Sequence, residues 1–368
     1  MHIARSIYQS IQDKLLSSNK IIVLYGPRQV GKTTLVQNIL TGSSIKRLTI
    51  NADEKTYSDI LSSRDLNQMK LLVEGYDLIF IDEAQRIPDI GINLKLLHDS
   101  LPELKIIATG SSSFELANQI KEPLTGRTWT FTLFPVAVPE LANLYNPFEL
   151  SQKLPELLIY GSYPEIFSIP NRREKIRYLN ELSSSYLYKD ILELASIRHT
   201  SKVNDLLRLL AFQVGSEVSL SEVGSSLSMS KETVATYIDL LEQAFVVFRL
   251  SGFSRNLRKE VTKMDKIYFY DLGIRNTVIN QLNPLGQRDD VGKLWENFLM
   301  IERKKLLAYQ SIYAGSYFWR TYTGAKIDYI EAREGKLSGY EFKYSRKSAK
   351  PPKTWLNTYQ NASCRCVT

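Results

Sequence analysis

Five apolar residues, "IIVLY" (21–25), run unbroken into a short polar stretch and then into "LVQNIL" (35–40). An unbroken run of this length predicts a strand covered on both faces, followed here by a turn and a helix. The same reading makes Leu78–Ile81, within "YDLIFIDEAQ" (76–85), a second buried strand and "LKIIATGSSS" (104–113) a third. Ahead of them, "MHIARSIYQSIQDKLLSSNK" predicts an amphipathic helix with no apolar signal-peptide core. From Pro147 to about residue 200 the pattern turns helical. "LLIYGSYPEIF" carries a Gly-Ser-Tyr-Pro break, and "NRREKIRYLNELSSSYLYKDIL" forms one long amphipathic run.

Three helices follow: "VNDLLRLLAFQVG", "SLSEVGSSLS" and "SKETVATYIDLLEQAF". Ser219 and Glu222 predict a capping box on the second. Val234, Tyr237, Ile238, Leu241 and Phe245 predict the buried stripe of the third. Two strands, "VVFRLSGF" and "KIYFYD", complete a winged helix-turn-helix order. The third helix offers Lys231, Thr233 and Thr236 but also Glu232, Asp239 and Glu242, a poor face for a polyanion. The loop between the strands, with Arg255, Arg258, Lys259 and Lys263, is a better one.

The polar stretch after the first strand, "YGPRQVGKTT", fits G-x-x-x-x-G-K-[ST]. Between a strand and a helix, that spacing wraps the backbone of Gly26, Pro27, Arg28, Gln29, Val30 and Gly31 around phosphates, with an N–H from every one of these residues but Pro27. Lys32 reaches the β- and γ-phosphates, Thr33 ligates Mg²⁺, and Thr34 opens the helix beside it. Asp82, ending the second strand, is the expected second Mg²⁺ contact, and Glu83 is placed to orient the attacking water. Thr109 and Ser111, at the end of the third strand, are candidate sensors, since ligands of an open α/β sheet lie outside the strands' carboxyl ends. Arg127, in "LTGRTWTFTLFPVAVPEL", is a candidate arginine finger, in its own chain or on a neighbour's nucleotide. A structural salt bridge is the other reading of that arginine. ATP and Mg²⁺ are the expected cofactors.

Net charge of the 368 residues is +8, and its position matters more than its size. From Val291 onward there are 14 Lys+Arg against 6 Asp+Glu, which leaves 33 of each sign before it. A cationic surplus confined to one region points to a polyanion, and DNA is the expected partner. Cys364 and Cys366, the chain's two cysteines, provide no disulfide framework or zinc site by themselves. With no apolar run long enough for a membrane span, a cytoplasmic protein is expected.

The basic region carries its own constellation. "GKLWENFLMIERKKLL" is a helix bearing Glu296, "FWRTYTGAKIDYIEA" a strand bearing Asp328, and "KLSGYEFKYS" a strand bearing Glu341 and Lys343. Tyr340, Phe342 and Tyr344 alternate with those last two, so the rings take one face of the strand and the charges the other. Asp328 and Glu341 as Mg²⁺ ligands, Glu296 completing the shell and Lys343 on the attacking water would make a metal nuclease. The same alternation is also what any half-exposed strand looks like.

Taken together and in order, "GPRQVGKTTL", "IDEAQ", "ATGSSS", "LTGR…LFP", "GSYPE", "YLYKDI", "DLGIRN", "LWENF" and "FWRTYTGAKIDYI…YEFKYS" resemble the bacterial and archaeal AAA-type ATPases that carry a DUF4143 region. The resemblance covers almost the whole length. It implies an α/β P-loop NTPase sheet with a helical lid, then a winged helix and a small restriction-endonuclease-like, PD-(D/E)xK domain. The expected boundaries are 1–145, 146–200, 201–290 and 291–368. Residue by residue it implies a nucleotide site at Gly26, Gly31, Lys32, Thr33, Asp82 and Glu83, and nuclease-like positions at Glu296, Asp328, Glu341 and Lys343. Similar proteins usually continue for a short segment past "SCRCVT", so an incomplete edge is expected there. No arginine of the second-sensor type is identifiable.

Three functions stay open at this stage. One is a DNA-associated ATPase whose cycle moves the C-terminal domains, as a monomer or a homo-oligomer. The second is a nucleotide-dependent switch for a protein partner, and the third is an ATP-gated, Mg²⁺-dependent nuclease.

Overall fold

The computed structural model describes residues 3–111, 124–195, 200–254, 264–321, 324–344, 351–359 and 361–368. Arg255, Arg258, Lys259 and Lys263 of the expected wing loop lie outside these. The chain forms two compact units, Met1–Leu144 with Gln243–Phe245, and Tyr145–Glu242 with Val246–Thr368.

In the first unit, helix α1 (Tyr8–Ser17) precedes β1 (Ile21–Tyr25), α2 (Lys32–Leu40), β2 (Arg47–Asn51), α3 (Lys55–Ser62) and α4 (Leu66–Val73). Then come β3 (Leu78–Asp82), α5 (Ile90–Ser100), β4 (Lys105–Gly110), β5 (Thr128–Thr132) and the short α6 (Val138–Leu141). The strands pair in parallel in the order β2-β3-β4-β1-β5. Every residue of β1 is buried, as are Leu78–Ile81 of β3, the burial that two covered faces require. Parallel pairing brings all the strands' carboxyl ends to one edge, so the loop after β1, the acids after β3 and the hydroxyls after β4 meet there. Gly26 is required where the chain leaves β1. A Cβ on it would lie 2.1 Å from the Leu133 carbonyl oxygen, because the chain beyond β5 passes directly over it.

The second unit opens with α7 (Pro147–Tyr160). A capping box starts that helix: the Asn146 side chain accepts from Glu149 N and the Glu149 carboxylate from Asn146 N, each at 2.9 Å. After α8 (Arg172–Ala195) come α9 (Thr200–Phe212), β6 (Glu217–Val218), α10 (Leu220–Leu227), α11 (Lys231–Gln243), β7 (Val247–Gly252) and β8 (Asp265–Phe269). The Ser219 side chain accepts from Glu222 N at 3.3 Å, which is one half of the expected box. Val234, Ile238 and Leu241 are buried as the periodicity predicts, and Tyr237 is half-buried.

The chain goes on through α12 (Leu272–Val278), α13 (Val291–Tyr309), β9 (Gly315–Arg320), β10 (Lys326–Arg333), β11 (Lys336–Phe342), α14 (Lys353–Thr358) and β12 (Ala362–Val367). Its sheet runs β12-β11-β10-β9-β7-β8-β6 without a break, joined across Ser251↔Tyr317 and Gly252↔Phe318 of β7 and β9. "GSYPE" and "DLGIRN", far apart in sequence, form one buried polar junction. Asp271 accepts from Ser162 N at 2.7 Å, and the Asn276 amide donates to the carbonyls of Leu158 and Ile159 at 2.9 and 2.8 Å. Arg275, fully buried, donates to Ala211 O at 2.9 Å and pairs with Asp290 at 2.5 Å.

Candidate nucleotide site and a second acidic cluster

The loop from Gly26 to Gly31 turns through two left-handed residues, Gln29 (φ 59°) and Gly31 (φ 91°), before α2 begins at Lys32. Lys32 folds back across it, its ammonium donating to Gly26 O at 2.9 Å and Pro27 O at 3.0 Å. Thr33 Oγ1 donates to Asp82 Oδ2 at 2.7 Å, and the hydroxyl of Thr109 bonds the other oxygen of the same carboxylate. Glu83 stands in the left-handed region at φ 54°, a conformation that costs a non-glycine residue about 1–2 kcal/mol. Strain of this kind collects at functional positions. The Glu83 side chain accepts from the Gln85 amide at 2.6 Å, and the same amide nitrogen reaches Ser111 Oγ at 3.1 Å.

Glu83 N also donates to Thr109 Oγ1 at 3.3 Å, so Thr33, Asp82, Thr109, Glu83, Gln85 and Ser111 form one connected set, with Lys32 next to Thr33 at the start of α2. Thr109 and Ser111, both buried, act on Asp82 and on the partner of Glu83. Arg127 is not among them. Its carbonyl accepts from Ile21 N at 2.9 Å, at the start of β1, whereas the phosphate loop leaves the end of that strand. A five-residue strand separates the two places by roughly 17 Å. Its guanidinium forks onto Asp99 at 2.7 and 3.0 Å, and that hydrogen bond holds the Asp99 carboxyl below its usual range. This corrects the expectation of an arginine finger on the chain's own nucleotide.

The acids of the second unit are differently placed. Tyr329 pairs with Tyr340 across β10 and β11, so one step along the same register brings Asp328 opposite Glu341. The rings of Tyr329, Tyr340 and Phe342 gather on the other face, with centroids 5.9 and 6.5 Å from Tyr329, as the alternation predicts. Each acid faces a lysine: Asp328 with Lys326 at 3.6 Å, Glu341 with Lys343 at 3.1 Å, Glu296 with Lys266 at 3.1 Å. Glu296 also accepts the Tyr268 hydroxyl at 2.6 Å. Burial works against the charge on Lys343, but the Glu341 carboxylate outweighs it and holds that ammonium above its ordinary range. A lysine shifted this way is a poor base. Among the described residues no group of three His, Cys, Asp or Glu is arranged to hold a metal. The expected three-acid shell of Glu296, Asp328 and Glu341 is therefore not assembled, because Lys266 and Tyr268 engage the helix acid.

Known families match the chain in three consecutive stretches. An AAA domain covers residues 18–142, a domain of unknown function (DUF8612) covers 151–285, and another (DUF4143) covers 291–366. Residues 18–142 thus belong to an AAA domain family and residues 291–366 to DUF4143. Similar proteins include an uncharacterized protein of Mycobacterium tuberculosis, 28% identical over 326 residues, which are 88% of this chain and 70% of that one. Another, from Methanocaldococcus jannaschii, is 26% identical over 321 residues, 82% of this chain and 70% of its own. Solved structures similar in part include the RuvB Holliday junction branch migration motor of Thermotoga maritima (17% identity, TM-score 0.33, 67% of this chain and 90% of that one). AMPPCP-bound DnaA from Aquifex aeolicus is a second (17% identity, TM-score 0.28, 65% and 87%). At such TM-scores the fold rests on the strand order of the first sheet, not on superposition.

Two parts of the first site escape sequence reasoning. Gln85 sits inside "IDEAQ", but nothing in the spacing says that its amide turns back onto Glu83. Arg5 lies in what reads as an amphipathic helix, yet it reaches the phosphate loop. Among the described residues no helix is long and apolar enough to cross a membrane.

Proposed function

We propose that this chain binds Mg²⁺-ATP at the carboxyl edge of its first sheet, hydrolyses it, and uses the cycle to act on DNA held by the second unit. The observation that supports turnover is the connected set of Thr33, Asp82, Thr109, Glu83, Gln85 and Ser111. Thr33 and Asp82, hard oxygen donors 2.7 Å apart, are the ligand type Mg²⁺ takes, so the residues fit the ion. Bound there, it would offset charge on the phosphates. Lys32 moves its ammonium from loop carbonyls to phosphate oxygens, and Glu83 orients the attacking water from the position Gln85 fixes. The test is phosphate release with Lys32→Ala and Glu83→Gln as blanks; equal rates in all three proteins would contradict the reading.

DNA is the partner favoured by charge. All six acids of 291–368 are engaged by cations, while Lys336, Lys353 and Arg365 remain exposed on its surface. The helix and strand order of α9 to β8 also suits a winged helix. DNA binding should weaken steeply with salt, since each neutralised phosphate releases counterions.

One observation supports a nuclease reading as well. Asp328 Oδ1 is buried and accepts no hydrogen bond, opposite Glu341. A two-carboxylate site with Lys343 beside it predicts Mg²⁺- or Mn²⁺-dependent cleavage that Asp328→Ala and Lys343→Ala abolish. Cleavage surviving in both variants would exclude it.

A further inference from the structure

We infer that Arg5 is a positioning residue for nucleotide binding: it holds the phosphate loop in its donating conformation from outside. The inference rests on the reading of the first site as a nucleotide site. Arg5 precedes α1, and its side chain is 9% exposed. Its guanidinium divides among three segments. Nη1 donates to Val30 O at 2.7 Å, Nη2 to Phe134 O at 2.5 Å, and Nε to Glu140 Oε2 at 3.2 Å.

Glu140 is itself buried and also accepts Ser6 N at 2.7 Å and Ala137 N at 2.8 Å. The cation is thus anchored by a carboxylate that two backbone donors fix in place. A planar fork with this many directed donors is what arginine supplies and lysine does not.

The bond to Val30 O is the one that matters for the ligand. In a trans peptide the C=O of one residue and the N–H of the next point to opposite sides. Arg5 pulls the Val30 carbonyl outward, so the Gly31 N–H of the same peptide unit is held inward, toward the concave face of the loop. Gly31 makes this geometry possible with φ 91°. Arg5 Nη1 lies 4.0 Å from the place a Gly31 Cβ would occupy, so the positive charge also sits immediately behind the loop. Arg5 therefore acts through Gly31 and need not touch the nucleotide.

The test is calorimetric titration of the full chain with Mg²⁺-ADP, comparing wild type, Arg5→Ala and Arg5→Lys, with thermal unfolding of each protein in the absence of nucleotide. Arg5→Ala should bind ADP about tenfold more weakly or worse. Arg5→Lys keeps the charge beside Glu140 but cannot hold both carbonyls, so it should recover only part of the loss. If Arg5→Ala fails to fold, Arg5→Lys answers alone: weaker ADP binding at an unchanged melting temperature supports the role. Variants that fold and bind ADP as wild type does would overturn it. A wild type that binds no ADP would instead overturn the nucleotide reading beneath it.

Discussion

The two acidic clusters of this molecule differ in what holds their carboxylates. At the edge of the first sheet Asp82 is held by the hydroxyls of Thr33 and Thr109, and Glu83 by the amide of Gln85. On the second sheet Asp328 and Glu296 also take neutral donors, Phe342 N at 3.0 Å and the Tyr268 hydroxyl at 2.6 Å, but each of the three acids has a lysine against it as well, Asp328 with Lys326, Glu341 with Lys343 and Glu296 with Lys266. Neutral donors orient a carboxylate and leave its charge for a cation or a water. A lysine orients it and cancels that charge. Similar acids at the ends and faces of buried strands thus become a poised site in one place and an ion-paired cluster in the other. The chemistry is decided by which partners reach each acid, contacts that no motif spells out.

The largest effect should come from breaking the first cluster. Lys32→Ala or Glu83→Gln should lower ATP turnover by at least about 10²-fold, the scale of a lost water-orienting or phosphate-binding group. Asp328→Asn should leave the same phosphate-release assay unchanged. A comparable loss in Asp328→Asn would tie the clusters together and end the contrast.

Gln85→Ala sharpens it further. Glu83 then keeps its charge and loses its anchor, so kcat should fall about tenfold with little change in KM for ATP, the signature of a transition-state effect. An unchanged kcat would make the Gln85 bond incidental.

The second cluster can be pushed the other way. Removing both Lys326 and Lys343 leaves the buried Asp328 and Glu341 carboxylates, 3% and 10% exposed, without their cations, so it should cost more than the roughly 1 kcal/mol of an exposed pair. It should also uncover a cation site, so that Mn²⁺ raises the melting temperature of the double variant more than that of wild type. Equal shifts would mean that the lysines were not what kept a metal away.

Acid offers the smallest contrast. Burial alone would raise the Asp290 carboxyl, but hydrogen bonds from Arg288 and Arg275 prevail and hold it below its ordinary value. Its contribution to stability is complete above the ordinary carboxylate range and disappears as pH falls through the lowered value. Asp290→Asn should flatten that part of the acid unfolding curve, measured by circular dichroism. A curve parallel to wild type would assign the acid sensitivity elsewhere.

What the sequence made legible follows from how local each signal is. The strand at Leu78–Ile81 and the stripe at Val234, Ile238 and Leu241 are periodic, so neighbouring residues report on each other. The loop from Gly26 to Thr33 is a fixed spacing with one chemical use. Arg127 left two readings open because a glycine-arginine loop looks the same at either end of a sheet; the pairing with Ile21 and the ion pair with Asp99 favour the salt bridge. The joining of β7 to β9 rests on two residue pairs 66 positions apart, and Arg5 meets Glu140 at a separation of 135. Periodicity does not register contacts of that range. "GSYPE" and "DLGIRN" stood out as motifs without a role. The Asp271 and Asn276 side chains bond the backbone at Ser162 and at Leu158 and Ile159 just before it, so folding alone accounts for them.

The most direct test of the account is ATP turnover by the full chain with and without double-stranded DNA, at low and at moderate salt, with Glu83→Gln as the blank and the DNA from each tube run on a gel. The account predicts Mg²⁺-dependent turnover that DNA stimulates, a stimulation that fades with salt, and DNA recovered intact. Turnover indifferent to DNA at every salt concentration would contradict it.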